Sequence, residues 1–384
     1  MSSNFSINNT ILSYEVLDFP FTVKSFPNPY QVSTINSTKD YQRFLADADF
    51  VIIDVNVGLH YEPHTPYQCV IFRVRATEEN KCMETVLKLI DALIVAGISK
   101  GSKVVAIGGG IIQDLAACAC ALFRRGQPFT YLPTTTLGQL DSCVGAKCAI
   151  NTDLAKNIIG LFSAPREVII PTFMIQTVGL SDHRAGLSEM LRLCLTASSA
   201  AVDEYISLFK LISCPSSLDL PAYVQALTLS LSIKKSVVDY DEYETDVRRS
   251  MNFGHTFGHA IEKLVNFSLP HGLGVLVGIQ MANEFAYLSG MMDHSMYTRL
   301  CKPVQMTISG VHLGSTTVLG SLTPEAILDQ FKYDKKGDGS SVPLILLKSP
   351  GDMIFYRYSF DSPSSILIDS ISKSLVRFNS WLQK

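Results

Sequence analysis

Apolar residues in the first half of the chain fall in short β-branched runs separated by stretches with helical spacing. Phe50-Val-Ile-Ile-Asp54 and Cys69-Val-Ile-Phe-Arg-Val74 read as buried strands. Lys81 to Ala96 predicts a helix, with Met83, Val86, Leu87, Leu89, Ile90 and Leu93 on its core face. Lys103–Ile107 predicts a strand that runs into Gly108-Gly109-Gly110, and Leu115–Arg124 predicts a helix after it. Phe129–Leu132 and Glu167–Ile170 predict further strands. Strands alternating with helices imply a parallel sheet covered by helices.

The pattern then changes. From about residue 180 the apolar spacing is helical, over Leu187–Leu211, Ala222–Tyr240, Gly254–Asn266, Gly272–Ser289 and Pro324–Lys332. Val342–Leu347 and Met353–Tyr358 predict a hairpin, and Pro363–Leu382 a closing helix. The expected boundary lies between Pro171 and Ser181, giving an α/β domain over 1–178 and a mainly helical domain over 179–384. The first ten residues are polar and are expected to be a frayed tail rather than a signal peptide.

Composition narrows the setting. At 47% hydrophobic and 17% charged residues, the chain has ample material for packed cores and no disorder signature. A formal net charge of −3 gives no reason to expect a nucleic acid or an anionic membrane as partner. The most apolar run, Val104 to Phe123, is interrupted by three glycines, Gln113 and Asp114, so a membrane span is not expected. The nine cysteines are expected to be reduced thiols in a soluble, cytoplasmic protein, with Cys118, Cys120, Cys143 and Cys148 as packing residues.

Candidate chemistry sits on this frame. Gly108-Gly109-Gly110 between strand and helix permits close backbone approach, and the helix N-terminus beyond it favours a phosphate. Asp54, ending a strand, is placed to accept a ribose hydroxyl. His255 and His259 share a helical face, His271 follows after a short loop, and Glu189 lies on an earlier helix. Donors of this type suit a catalytic metal with an open position, and spacing alone leaves open which imidazoles are ligands. Arg124, Arg125, Lys147, Lys156, Lys234, Lys235, Arg248, Lys335 and Lys336 supply the cations an anionic substrate needs.

Taken in order, Gly108-Gly-Gly-x-x-x-Asp114, Arg124-Arg-Gly126, Leu132-Pro-Thr-Thr135, Asp141-x-x-Val-Gly-x-Lys147, Lys156-Asn157 and Asn252-Phe-Gly-His-Thr-Phe-Gly-His-Ala-Ile-Glu262 resemble the 3-dehydroquinate synthase-like sugar phosphate cyclases. The resemblance implies an α/β NAD-binding domain, a helical metal- and substrate-binding domain, and a homodimer. It implies Glu189, His255 and His271 as ligands of a divalent metal, zinc or cobalt, with His259 facing the substrate. By position, Asp54, Glu78, Lys81, Gly109, Gly110, Asp114, Thr134, Thr135 and Lys156 correspond to NAD contacts. Lys147, Arg192, Lys234, Arg248, Asn252 and His259 correspond to catalytic residues, and Arg125, Asp141, Asn157, Lys335 and Lys336 to substrate contacts. The implied reaction is redox-neutral: transient oxidation by NAD, loss of phosphate, reduction, ring opening and an intramolecular aldol.

Within the family, Lys234, Arg248, Asn252 and His259 match members whose substrate carries a carboxylate beside the phosphate, pointing to 3-deoxy-arabino-heptulosonate 7-phosphate as substrate and 3-dehydroquinate as product. Gly145-Ala146-Lys147 and Glu78-Glu-Asn-Lys81 resemble instead the branches that use sedoheptulose 7-phosphate. Arg192 stands where the family has Lys, and His271-Gly-Leu-Gly274 replaces His-Gly-Glu-Ala. A metal-dependent alcohol dehydrogenase shares the two-domain plan but needs no phosphate cluster.

Overall fold

The computed structural model describes residues 2–66, 68–312, 317–331, 340–361 and 364–382. Lys335 and Lys336 lie outside the described residues. The chain forms two compact units, Leu17–Val178 and a second made of Met1–Val16 with Gly179–Lys384.

The first unit is built on a seven-stranded sheet. Its spatial order is Phe21–Val23, Tyr30–Ile35, Glu167–Pro171, Phe129–Pro133, Val104–Gly108, Phe50–Asp54 and Val70–Val74. All pairs are parallel except Phe21–Val23 against Tyr30–Ile35. The central strands are buried over nearly their whole length, as the β-branched runs require. Val51, Ile53, Val105, Ile107, Leu132 and Ile169 share one core with Tyr41, Leu45 and Met174. From Phe50–Asp54 the chain moves outward to Val70–Val74, then returns to Val104–Gly108 and proceeds the other way. The direction of winding therefore reverses between the strands ending at Asp54 and Gly108. In open α/β sheets this is where ligands bind, at the carboxyl ends of the strands.

The predicted helix after the glycines begins earlier than expected. It spans Gly110–Leu122 with Gly109 as its N-cap, so the glycines belong to the helix N-terminus itself. The helix predicted over Lys81–Ala96 spans Met83–Val95.

The second unit differs from expectation at its start. Ser2–Ile7 and Thr10–Glu15 are paired antiparallel strands, not a frayed tail. Asn8 and Asn9, at φ 47 and 71, make the two-residue turn between them. Positive φ at both positions suits the right-handed twist of a hairpin, and Asn tolerates it well. Phe5, Ile7, Leu12 and Tyr14 are buried, and Ser2–Ile7 pairs in parallel with Asp352–Ser359. The first residues thus pack with the helical unit rather than with the α/β domain drawn as 1–178.

The helices of this unit include Leu180–Ala197, Ser199–Ile212, Leu220–Tyr240, His255–Leu264, His271–Leu288, His294–Ile308 and Ser365–Leu382. The single helix expected over Leu187–Leu211 is broken at Ser198, which is extended (φ −171, ψ 161). Its hydroxyl accepts from the Ala201 N–H at 3.1 Å, a side-chain cap that starts the second helix. His294–Ile308 carries Pro303 and was not predicted. No described helix is long and apolar enough to cross a membrane.

Candidate metal centre and cofactor-type cluster

Three helices of the second unit converge. Glu189 lies within Leu180–Ala197, while His255 and His271 each open a helix. Two glycines make the approach possible. A Cβ on Gly272 would stand 2.0 Å from the Ala185 carbonyl oxygen, and one on Gly278 would stand 2.0 Å from the Gly254 carbonyl oxygen. Any larger residue at either place would force the backbones apart and separate the donors.

The Nε2 atoms of His255 and His271 stand 3.8 and 3.5 Å from Glu189 Oε1. Hydrogen bonds are shorter than this. Ligand atoms about 2.0–2.1 Å from a tetrahedral zinc lie roughly 3.3 Å from one another, close to the spacing found. Glu189 is 1% exposed, and among the described residues its Oε1 accepts no hydrogen bond. A buried carboxylate oxygen in that state is costly unless a cation completes it. This donor set therefore fits a divalent metal.

His259 is exposed on the His255 helix, and one ligand atom from each of His255, His259 and His271 lies within 4.8 Å of the others. The three imidazoles thus gather on one another, and two of them, His255 and His271, bring Nε2 within 4 Å of Glu189 Oε1.

Each donor is held from behind, as metal-binding side chains require. His271 Nδ1 and Glu262 Oε1 are 2.9 Å apart, which leaves Nε2 on the Glu189 side. His255 Nδ1 is 3.3 Å from the Phe253 carbonyl oxygen. Glu189 Oε2 accepts from Arg192 Nε at 2.5 Å. Burial disfavours the charged His271 ring, but the Glu262 hydrogen bond and the charges of Glu262 and Glu189 outweigh it, raising its pKa to about 9. Glu262 was not singled out from the sequence. The available signal was its place seven residues after His255, two turns along the same helical face.

Arg192, expected as a catalytic contact, is 1% exposed and points into the protein, onto Glu189 and the Met251 sulfur (3.3 Å). Lys234 (8% exposed) lies on Leu220–Tyr240, and Arg248 (4%) on the turn that follows. Arg248 Nη1 donates to the Glu242 carbonyl, and Asn252 Nδ2 donates to Glu244 Oε1 at 2.7 Å. Asp241 organises this turn, accepting from the backbone N–H groups of Thr245 (2.9 Å), Asp246 (2.8 Å) and Arg248 (3.0 Å). Burial pushes the Asp241 carboxyl up, but these three N–H groups and the Thr245 hydroxyl hold it below the usual carboxylate range. Sequence reasoning missed Asp241, whose role depends on a turn that spacing does not reveal.

In the first unit, the expected cofactor residues make several separate contacts. Asp54 caps the short helix after its strand, accepting from the Asn56 N–H at 3.1 Å. A Cβ on Gly109 would lie 2.7 Å from Thr135 Cγ2, so this turn touches the Thr134-Thr135 segment directly. Among the described residues, no atom beyond its chain neighbours and its own helix backbone lies within 4 Å of the corresponding point on Gly110. Lys81 Nζ pairs with Asp114 Oδ2 at 2.5 Å and donates to Asn157 Oδ1 at 2.7 Å. Burial raises the Asp114 carboxyl pKa against the pull of Lys81. Glu78 Oε2 accepts from Asn151 Nδ2 at 2.8 Å and pairs with Lys156 at 3.4 Å. Asn157, expected on the substrate, is thereby tied to the cofactor-type group. Asp141 is buried, whereas Lys147 and Arg125 are exposed, the latter at φ 59 in the turn after the glycine-rich helix.

Comparison with known proteins agrees across both units. Residues 71–185 match the 3-dehydroquinate synthase N-terminal family and residues 186–337 the C-terminal one. The chain is 33% identical over 297 residues to 3-dehydroquinate synthase of Nitrosospira multiformis, covering 77% of this chain and 78% of that one. It is 32% identical over 312 residues to 3-dehydroquinate synthase of Thermoanaerobacter pseudethanolicus, covering 79% and 85%. In fold it is similar to 2-deoxy-scyllo-inosose synthase complexed with carbaglucose-6-phosphate, NAD+ and Co2+ (TM-score 0.78, 21% identity, 92% and 99% covered). It is also similar to 2-epi-5-epi-valiolone synthase from Streptomyces hygroscopicus with NAD+ and Zn2+ bound (TM-score 0.70, 22% identity, 94% and 99% covered). With both halves matched in chain order, the chain belongs to the 3-dehydroquinate synthase-like sugar phosphate cyclase family.

Proposed function

We propose that the chain converts 3-deoxy-arabino-heptulosonate 7-phosphate to 3-dehydroquinate with loss of phosphate, using NAD and a divalent metal. The observation that carries the metal-dependent chemistry is the buried, unsatisfied Glu189 Oε1 facing His255 and His271. The name shared by the curated relatives, at 32–33% identity, supports the substrate.

Bound NAD supplies reversible oxidation of a substrate alcohol, and a divalent metal supplies a Lewis acid for the substrate oxygens. Glu189, His255 and His271 would hold the metal. Asp54, Glu78, Lys81, Gly109, Gly110, Asp114, Thr134, Thr135 and Lys156 would bind NAD, with the Gly110 helix N-terminus offering its N–H groups to the pyrophosphate. Arg125, Asp141, Lys147, Asn157, Lys234, Arg248 and Asn252 are assigned to the substrate. Buried cations such as Lys234 and Arg248 act on phosphate and carboxylate more strongly than solvated ones. His259, an exposed imidazole beside His255, is assigned to proton transfer at the substrate. The chain is proposed to work as a homodimer in the cytoplasm.

Phosphate release tests the substrate. Purified protein with NAD+ and Zn2+ should release phosphate from the heptulosonate phosphate. Release from sedoheptulose 7-phosphate or glucose 6-phosphate, with none from the heptulosonate, would overturn the assignment while leaving the cyclase reading in place.

A further inference from the structure

We propose that Arg192 is a positioning residue that acts on the metal centre through Glu189, lowering the centre's affinity for its ion. The inference rests on the metal reading above.

Arg192 and Glu189 are three residues apart on one helix, so their side chains lie on one face. Their side chains are 2% and 1% exposed, and the Nε–Oε2 distance is 2.5 Å. The guanidinium is also fixed at its far end by the Met251 sulfur. One carboxylate oxygen is therefore engaged, and only Oε1 remains on the side of the two imidazoles. Glu189 is set up as a one-oxygen donor.

Charge follows from the same contact. A guanidinium stays protonated in proteins. Glu189 is itself one of the donors, and Glu262 touches another, His271. With neutral imidazoles, Arg192 offsets one of these two negative charges. A dication is held less strongly by the smaller charge, and burial magnifies the difference. Without a metal, the same guanidinium spares Glu189 from standing buried and unpaired.

Zn2+ affinity, measured on the full chain by competition with a chromogenic chelator, tests this. Arg192→Gln keeps a hydrogen-bond donor for Glu189 but removes the charge, and should bind Zn2+ about tenfold more tightly or better. Arg192→Lys keeps the charge and should stay within about threefold of wild type. A purely structural role predicts weaker or unchanged binding in Arg192→Gln, and that result would overturn the inference. Should Arg192→Gln fail to fold, Arg192→Met removes the same charge and carries the same expectation. Glu189→Gln separates the two readings. If wild type takes up no stoichiometric Zn2+, or Glu189→Gln binds it as wild type does, the metal centre itself is wrong. If those two behave as expected and Arg192→Gln does not tighten, only the role of Arg192 fails.

Discussion

His271 Nδ1 meets Glu262 Oε1 at 2.9 Å, while Nε2 of the same ring stands 3.5 Å from Glu189 Oε1. One imidazole thus links the Glu262 carboxylate to that of Glu189. Replacing Glu262 by Ala should weaken Zn2+ binding by about 10–100-fold, the usual effect of losing such a partner. Gly274→Ala should act in the same direction, because its Cβ would sit 2.9 Å from Glu262 Oε1. Equilibrium dialysis against a zinc buffer measures both.

The Lys81–Asp114 pair is the corresponding anchor of the first unit. Lys81→Met would leave a partly buried carboxylate without its cation and should cost about 1–3 kcal/mol of stability. Urea unfolding followed by circular dichroism reads this loss. Titration with NAD+ should show weakened binding in the same variant.

Asp241 gives a pH dependence whose sign is fixed. Its carboxyl pKa is lowered in the folded protein, so the stabilisation is present above the unfolded value and is lost as pH falls through the folded one. Asp241→Asn should lower the melting temperature at neutral pH. The gap from wild type should shrink as the solution is acidified into and below the carboxylate range.

The N-terminal hairpin should behave as core. Ile7 is fully buried between its own partner strand and Asp352–Ser359. Ile7→Ala should cost about 2–5 kcal/mol in urea unfolding, where a frayed tail would show no effect.

Much of the architecture was legible because periodicity reports burial. Phe50–Asp54 is buried on both faces and reads as a continuous β-branched run. The hairpin escaped because its strands are short and polar residues alternate with Phe5, Ile7, Leu12 and Tyr14. Asn8-Asn9 was the overlooked turn signal. The break at Ser198 escaped because apolar spacing continues across it, and the hydroxyl cap was the available clue. Motif order pointed to Glu189, His255 and His271, which the fold brings together, but not to what stands behind them. Contacts such as Glu262 on His271 and Gly272 on Ala185 depend on how separate helices cross, and that of Arg192 on Glu189, within one helix, on which way two buried side chains turn.

A redox-neutral cyclisation that depends on a metal and NAD is tested by incubating the purified protein with NAD+, Zn2+ and 3-deoxy-arabino-heptulosonate 7-phosphate, then recording product mass and nicotinamide absorbance together. The expected result is a product lighter than the substrate by the elements of phosphoric acid, formed in step with free phosphate and with no net NADH. Steady accumulation of NADH with the phosphate still attached would contradict the account.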